Sequence, residues 1–304
     1  RAAMAVAALG AVAAAAAACA MALAMLLPPM PTPFPDRLAK IHPQDAIIDN
    51  ARPYDAADKW APNGSQAGLH LLNPARVAYF DAKVRAYLGP GPHRVLDAGC
   101  GGGLVSNALA QLPGYDTIEG IDLSKEALTY ARTTAAAAAG AGKGVQPRFQ
   151  NGTLYTLPFA EQTFDVVVVS DVLEHLLDLP RAVREAFRVL RPGGLLLFDT
   201  IDRSVASYVV AILGAEFIIR IIERGSHDWR LFVRPSELER AVQEAGFHDF
   251  AYEGFQPSVR ALAELSAFSA GLMRAERMRG GWQIEAPSSL MVSYIGLAAK
   301  PRTD

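Results

Sequence analysis

The chain has 304 residues, a net charge of −2 and 51% hydrophobic residues. That is enough length and apolar content to bury a substantial core in one large α/β domain with extensions. Basic and acidic residues are mixed along the sequence with no basic block, which argues against a nucleic-acid partner. The two cysteines, Cys19 and Cys100, lie far apart in segments of different kinds, which argues against a disulfide framework or a zinc site.

No charged residue occurs from Ala2 to Leu27. About 20 apolar residues suffice to cross a bilayer core, so the stretch reads as a membrane anchor, part of a targeting presequence, or a low-complexity helix. Length and the absence of charge favour the first two. The proline-rich run from Pro28 to Pro35 ends any helix and forms a stiff linker. The organisation expected is an anchor or targeting segment with linker over 1–35 and a helical N-terminal extension over 36–92. A catalytic domain follows over 93–300, with insertions at 203–232 and 258–286.

Helical segments are expected from Tyr54 to Leu88, and then the pattern changes. His93-Arg-Val-Leu-Asp97-Ala-Gly99-Cys100-Gly101-Gly102-Gly103 reads as a buried strand that breaks into a glycine turn and opens a helix at Leu104. Glycines belong where a backbone turns tightly and approaches a ligand closely. The D-x-G-x-G-x-G spacing resembles motif I of class I S-adenosylmethionine (SAM) methyltransferases, the plainer alternative being a structural strand-to-helix turn. A second strand, 116–121, ends in Asp122, placed from the glycine loop as a ribose-binding acid would be. Ser124 is the expected N-cap of the helix that follows.

Further along, strands are expected at 146–150, 164–170 and 194–200, with helices at 104–112, 124–138 and 180–190. Alternating strands and helices predict a parallel, doubly wound Rossmann-like sheet. Val166 to Val169 is continuously apolar and β-branched, as a central strand covered on both faces should be. Arg191-Pro-Gly-Gly194 is expected to be a turn. Val205 to Ile222 carries only Glu216 and Arg220 as charges, four residues apart. It reads either as a core helix with a surface ion pair or as a lid or interfacial helix meeting an apolar substrate or membrane. Helix 235–245, strand 248–255 and strand 289–299 complete a seven-stranded sheet whose last pair is antiparallel.

Several blocks outside the glycine loop resemble the ubiquinone-biosynthesis O-methyltransferases: Trp60-Ala-Pro-Asn-Gly64, Leu69-His70-Leu-Leu-Asn73-Pro74-Ala-Arg76 and Ser170-Asp171-Val-Leu-Glu174-His175. Leu213-Gly-Ala-Glu216-Phe217 and Gly225-Ser-His227-Asp228-Trp229 extend the match. The resemblance, which covers roughly residues 50 to 255, implies a SAM-dependent O-methyltransferase acting on a polyprenylated catechol or hydroquinone. A methyltransferase of another quinone, isoprenoid or phenolic, and a non-catalytic SAM-fold subunit, are the alternatives it leaves. It implies that Arg76 reaches the methionine carboxylate of SAM, that Gly99, Gly101 and Gly103 with Asp97 shape the cofactor loop, and that Asp122 holds the ribose. Ser170 would sit beside the methionine part, and Thr153-Leu154 would stand where an acid often lies beside adenine. Asp171, Glu174 and His175 are implied as ligands of a divalent cation such as Mg²⁺, with Asp171 one methylene shorter than the usual Glu. With Glu174, His175 or His227 would be the catalytic group, an imidazole serving as general base. The partners implied are a lipophilic polyprenyl phenol, a membrane surface and other quinone-biosynthesis proteins. The membrane implied is the matrix face of the mitochondrial inner membrane in a eukaryote, or the cytoplasmic face in a bacterium, with a plastid membrane as a further alternative.

Overall fold

A computed structural model describes residues 57–139, 144–218, 222–272, 277–278, 281–288 and 291–302. The apolar stretch 2–27 and the proline-rich linker fall outside the described residues. Among the described residues no helix is long and apolar enough to cross a membrane.

The sheet contains β1 (His93–Ala98), β2 (Tyr115–Asp122), β3 (Arg148–Asn151), β4 (Phe164–Ser170), β5 (Leu190–Ile201), β6 (His248–Pro257), β7 (Trp282–Glu285) and β8 (Ser293–Ala299), in the order β3-β2-β1-β4-β5-β8-β6-β7. The first five are parallel, and β8, β6 and β7 join antiparallel. The helices are α1 (Ala67–Leu88), α2 (Leu104–Leu109), α3 (Lys125–Ala139), α4 (Leu179–Val189), α5 (Pro235–Ala245) and α6 (Val259–Ser269). Between β5 and α5 a single turn, Val205–Ser207, runs into a π-helix, Tyr208–Ile218.

The valine run of β4 shows why the sheet is central. Side chains alternate between faces along a strand, so Val167 and Val169 enter one core with Leu179 and Val183 of α4 and Leu238 and Val242 of α5. Val166 and Val168 enter the other, with Leu72, Phe80 and Val84 of α1 and Val105 and Leu109 of α2. Cap chemistry sets the helix ends: Asp178 accepts from the Arg181 backbone N–H at the start of α4, and Gly246 takes a left-handed φ of 99° after α5.

Two expectations are corrected and one is refined. Among the described residues the sheet has eight strands rather than seven, because β7 lies inside the segment expected to be an insertion over 258–286, which also contributes α6. Arg191–Gly194 is not a separate turn: β5 runs through it with a register irregularity opposite Phe164 and Val166, and Gly193 takes up the slack at φ 77°. The long apolar segment after β5 is largely π-helical.

The antiparallel end is tied to the segment leading into α5 by Tyr294 of β8, fully buried, whose hydroxyl donates to the Val233 carbonyl at 2.9 Å. Tyr294→Phe leaves that buried carbonyl without its donor, and a loss of about 1–3 kcal/mol is expected. Chemical denaturation should show the midpoint falling with an unchanged slope; an unchanged midpoint would remove the bond from the stability of the fold.

Candidate functional site

The glycine loop follows β1 because two carboxylates hold it there. Asp97, buried at the end of β1, accepts from the Ser106 hydroxyl at 2.6 Å and the Ser106 backbone N–H at 3.1 Å, which fixes the start of α2. Burial pushes the Asp97 carboxyl up to about 6, against the pull of the Ser106 bonds. Asp122, at the end of β2, accepts from the Gly101 N–H and the Ser124 N–H, both at 2.8 Å. Ser124 caps α3 through a bond from the Ala127 N–H. Gly101 has φ 48°, and a Cβ there would overlap the Trp60 ring, which lies across the loop. A Cβ on Gly99, at φ 85°, would strike Val172.

A second layer joins α1 to the carboxyl ends of β4 and β5. Asn73 donates to the Leu104 carbonyl at 3.0 Å, setting α1 against the glycine loop. One turn on, Arg76 is 3% exposed, and its guanidinium pairs with Asp171 and, at 2.8 Å, with Asp199. Burial works against its charge, but the two carboxylates outweigh that and hold it above its usual value. The Arg76 Nε is buried with no hydrogen-bond partner among the described residues. Ser170 donates to Asp199 at 2.7 Å, and Thr200 to Glu174 at 2.7 Å. Burial, before the nearby Asp171 charge, raises the Glu174 carboxyl.

These layers wall a cavity of about 610 Å³, of the size usual for small-molecule sites. Arg76, Asp97, Gly99, Gly101, Asp122, Ser124, Leu154, Ser170 and Asp171 line it about the ends of β1, β2 and β4. Apolar lining comes from Phe255 of β6, Leu265 of α6 and Trp282 of β7, at the other end of the strand order, and from Leu69 and Leu72 of α1 and Val210 and Ile218 of the π-helix. Glu174, His175 and His227 line the cavity as well. Gly103 and Thr153 are not at its wall: Gly103 turns the chain into α2, and the Thr153 hydroxyl accepts from the Tyr155 N–H.

The expected metal triad does not assemble. Asp171, Glu174 and His175 would share a face on an α-helix, but Asp171 takes a left-handed φ of 51° and only Leu173–His175 forms a 3-10 turn. The Asp171 carboxylate pairs with Arg76, Glu174 is engaged by Thr200, and His175 stacks on His227 with ring centroids 5.4 Å apart. Among the described residues no three His, Cys, Asp or Glu side chains gather as a metal site.

Glu216 corrects a second expectation. It is 1% exposed rather than part of a surface ion pair; its proposed partner Arg220 lies outside the described residues. Its carboxylate accepts from the Gly225 N–H at 2.8 Å, the His227 N–H at 3.1 Å and the His227 Nδ1 at 2.8 Å. The sequence reading overlooked this role, as it did those of Trp60 and Asp199. The available signal for Glu216 was that both it and His227 stand in the blocks that resemble one family.

A mixed sheet with this order, a glycine loop after β1 and an acid ending β2 define a class I SAM-dependent methyltransferase. A family described as a methyltransferase domain matches residues 96–198. The ubiquinone biosynthesis O-methyltransferase of Methylobacterium nodulans is 39% identical over 199 residues, covering 63% of this chain and 77% of that protein. That of Methylocella silvestris is 34% identical over 258 residues, covering 81% and 90%. The chain belongs to the ubiquinone biosynthesis O-methyltransferase family and is a SAM-dependent O-methyltransferase. Among solved structures, a SAM-dependent methyltransferase from Thermotoga maritima superposes with a TM-score of 0.51 at 17% identity, covering 77% of this chain and 92% of that one. The cyclase SpnF superposes equally well, at 0.51 and 19% identity over 75% of this chain and 81% of that one. The fold alone therefore does not fix the reaction.

Gly101→Val places a branched side chain at a positive φ and against Trp60. The rise in Tm that SAM confers by mass action should disappear, while circular dichroism stays that of the folded chain. A variant that SAM still stabilises as it does the wild type would put the cofactor elsewhere.

Proposed function

We propose that the chain methylates a hydroxyl of a polyprenylated catechol or hydroquinone of ubiquinone biosynthesis, working at a membrane surface. The observation that carries this reading is the mixed lining of the cavity, with a first side of hydrogen-bonding groups at the ends of β1, β2 and β4 and apolar side chains toward β6 and β7, at the other end of the strand order. A lipid-like tail buried there gains about 0.8 kcal/mol per methylene.

The residues on the first side fit SAM. Gly99 and Gly101 of the loop border the cavity without a side chain of their own, Asp122 would hold the ribose, Leu154 would pack on adenine, and Ser170 would border the methionine part. Arg76, with its unpaired Nε, would meet the methionine carboxylate. When bound, SAM supplies a methyl group on a sulfonium. The protein holds the acceptor hydroxyl in line, excludes water with its apolar wall, and accepts the hydroxyl proton at the His175–His227 pair. The residues expected to hold a divalent ion do not fit one: Asp171 is committed to Arg76, Glu174 to Thr200, and His175 is stacked on His227.

Membrane contact is supported by a rim of exposed apolar residues. Val205, Ile218 and Val259 are 65%, 60% and 85% exposed, and Ile218 also lines the cavity. Such a rim lets a lipophilic acceptor pass from bilayer to cavity without crossing water.

In a methyl-transfer assay, kcat/KM should rise about tenfold or more when the acceptor catechol gains its first isoprene unit, in keeping with the burial of five carbons. Equal values with and without the tail would overturn the substrate assignment. The same assay with and without Mg²⁺ decides whether an ion takes part. A Val205→Asp/Val259→Asp variant, altered outside the cavity wall, should co-sediment less with anionic vesicles and keep its SAM-induced shift. Undiminished co-sedimentation would dismiss the rim as the contact.

A further inference from the structure

His227 differs from its stacking partner in what lies behind it. Its Nδ1 is 2.8 Å from Glu216 Oε1, and the same carboxylate takes the backbone N–H groups of His227 and Gly225. A carboxylate bonded in this way is an acceptor, so the imidazole donates from Nδ1 and keeps its lone pair on Nε2. The ring cannot turn easily: it is stacked on His175 and meets the edge of Phe232 with centroids 5.7 Å apart. Glu216 itself is fixed on the π-helix, whose wider turns are rare and concentrate at functional sites.

We infer that Glu216 is a positioning residue, fixing the tautomer and direction of His227 so that Nε2 takes the proton of the acceptor hydroxyl. This rests on the O-methyltransferase reading above and chooses between its two imidazoles. The proton moves from the hydroxyl to Nε2, and the oxygen forms the new O–CH₃ bond. The S–CH₃ bond breaks, and its electron pair stays on sulfur. The imidazolium is then stabilised by the carboxylate on its far side, the arrangement that makes a histidine an effective base. His175 is the stacking surface. Burial, and then the neighbouring His227, hold His175 down to about 3, so it remains neutral beside a ring that gains charge.

The alternative is that Glu216 only ties the 225–227 loop to the π-helix. The two are separated by the acidity of the acceptor, because a nitrocatechol already ionised at the assay pH needs no base. With the full chain, Glu216→Gln should lower kcat on an alkyl catechol by about 10²-fold, the scale of general-base catalysis. KM and the SAM-induced Tm rise should hold. On the nitrocatechol the loss should shrink below about tenfold, and Glu216→Asp should fall between wild type and Glu216→Gln. Equal losses on both catechols, or a change in KM alone, would overturn the positioning role. Should Glu216→Gln fail to fold, His227→Ala decides. Added imidazole should restore part of its turnover on the alkyl catechol, and no restoration refutes the dyad. A wild-type chain inactive on both catechols sinks the function reading itself, a result distinct from any of these.

Discussion

The site depends on one buried cation. Arg76 leaves α1 and enters between Asp171, just past β4, and Asp199 on β5, so three elements distant in sequence converge on a single guanidinium. Desolvating such a charge is costly, and the planar fork of arginine, matched by two carboxylates, offsets the cost where a lysine would not. Removing one member leaves an uncompensated charge in the interior, which is far worse than never having placed it there. Ser170 continues the network, bonding Asp199, and Thr200 bonds Glu174 beside it. The position of α1, and of the apolar wall its Leu69 and Leu72 provide, therefore follows from the same contact that shapes the cofactor side of the cavity.

The glycine loop obeys a related rule. Asp97 and Asp122 spend much of their hydrogen-bonding capacity on backbone N–H groups of the protein itself. They hold the loop in an open curve before any ligand arrives, and that preorganisation is what a cofactor site needs, since ordering a loop on binding would cost affinity.

What the sequence displayed was whatever local chemistry alone determines. Four consecutive β-branched residues can only be a strand covered on both faces, and glycines after a strand, with an acid closing the next, announce a ligand loop. The class of fold and the glycine-loop part of the cavity wall followed from these. What stayed hidden depended on backbone geometry with no local mark. The spacing of Asp171, Glu174 and His175 places them on one face only if a helix starts at once; the left-handed turn at Asp171 scatters them. Glu216 looks like the partner of a cation four residues on, an α-helical habit, whereas its π-helix turns it inward to a histidine that returns eleven residues later. β7 was concealed because a short, exposed edge strand such as Trp282–Glu285 has too little buried alternation to announce itself.

The segment between β5 and α5 joins the cavity wall to the buried Glu216. Its π-helix turns Ala211, Ile212, Ala215 and Glu216 inward and leaves Val209, Val210 and Ile218 at the surface, where they also border the cavity. A lipophilic acceptor entering past Val210 and Ile218 would travel along the same helix that orients His227. On the proposed reading, entry and deprotonation would share one element. The fold recurs in a protein named as a cyclase, so the fold by itself leaves the reaction open. The insertion holds a buried carboxylate against an imidazole that lines the cavity, and the proposed deprotonation belongs there.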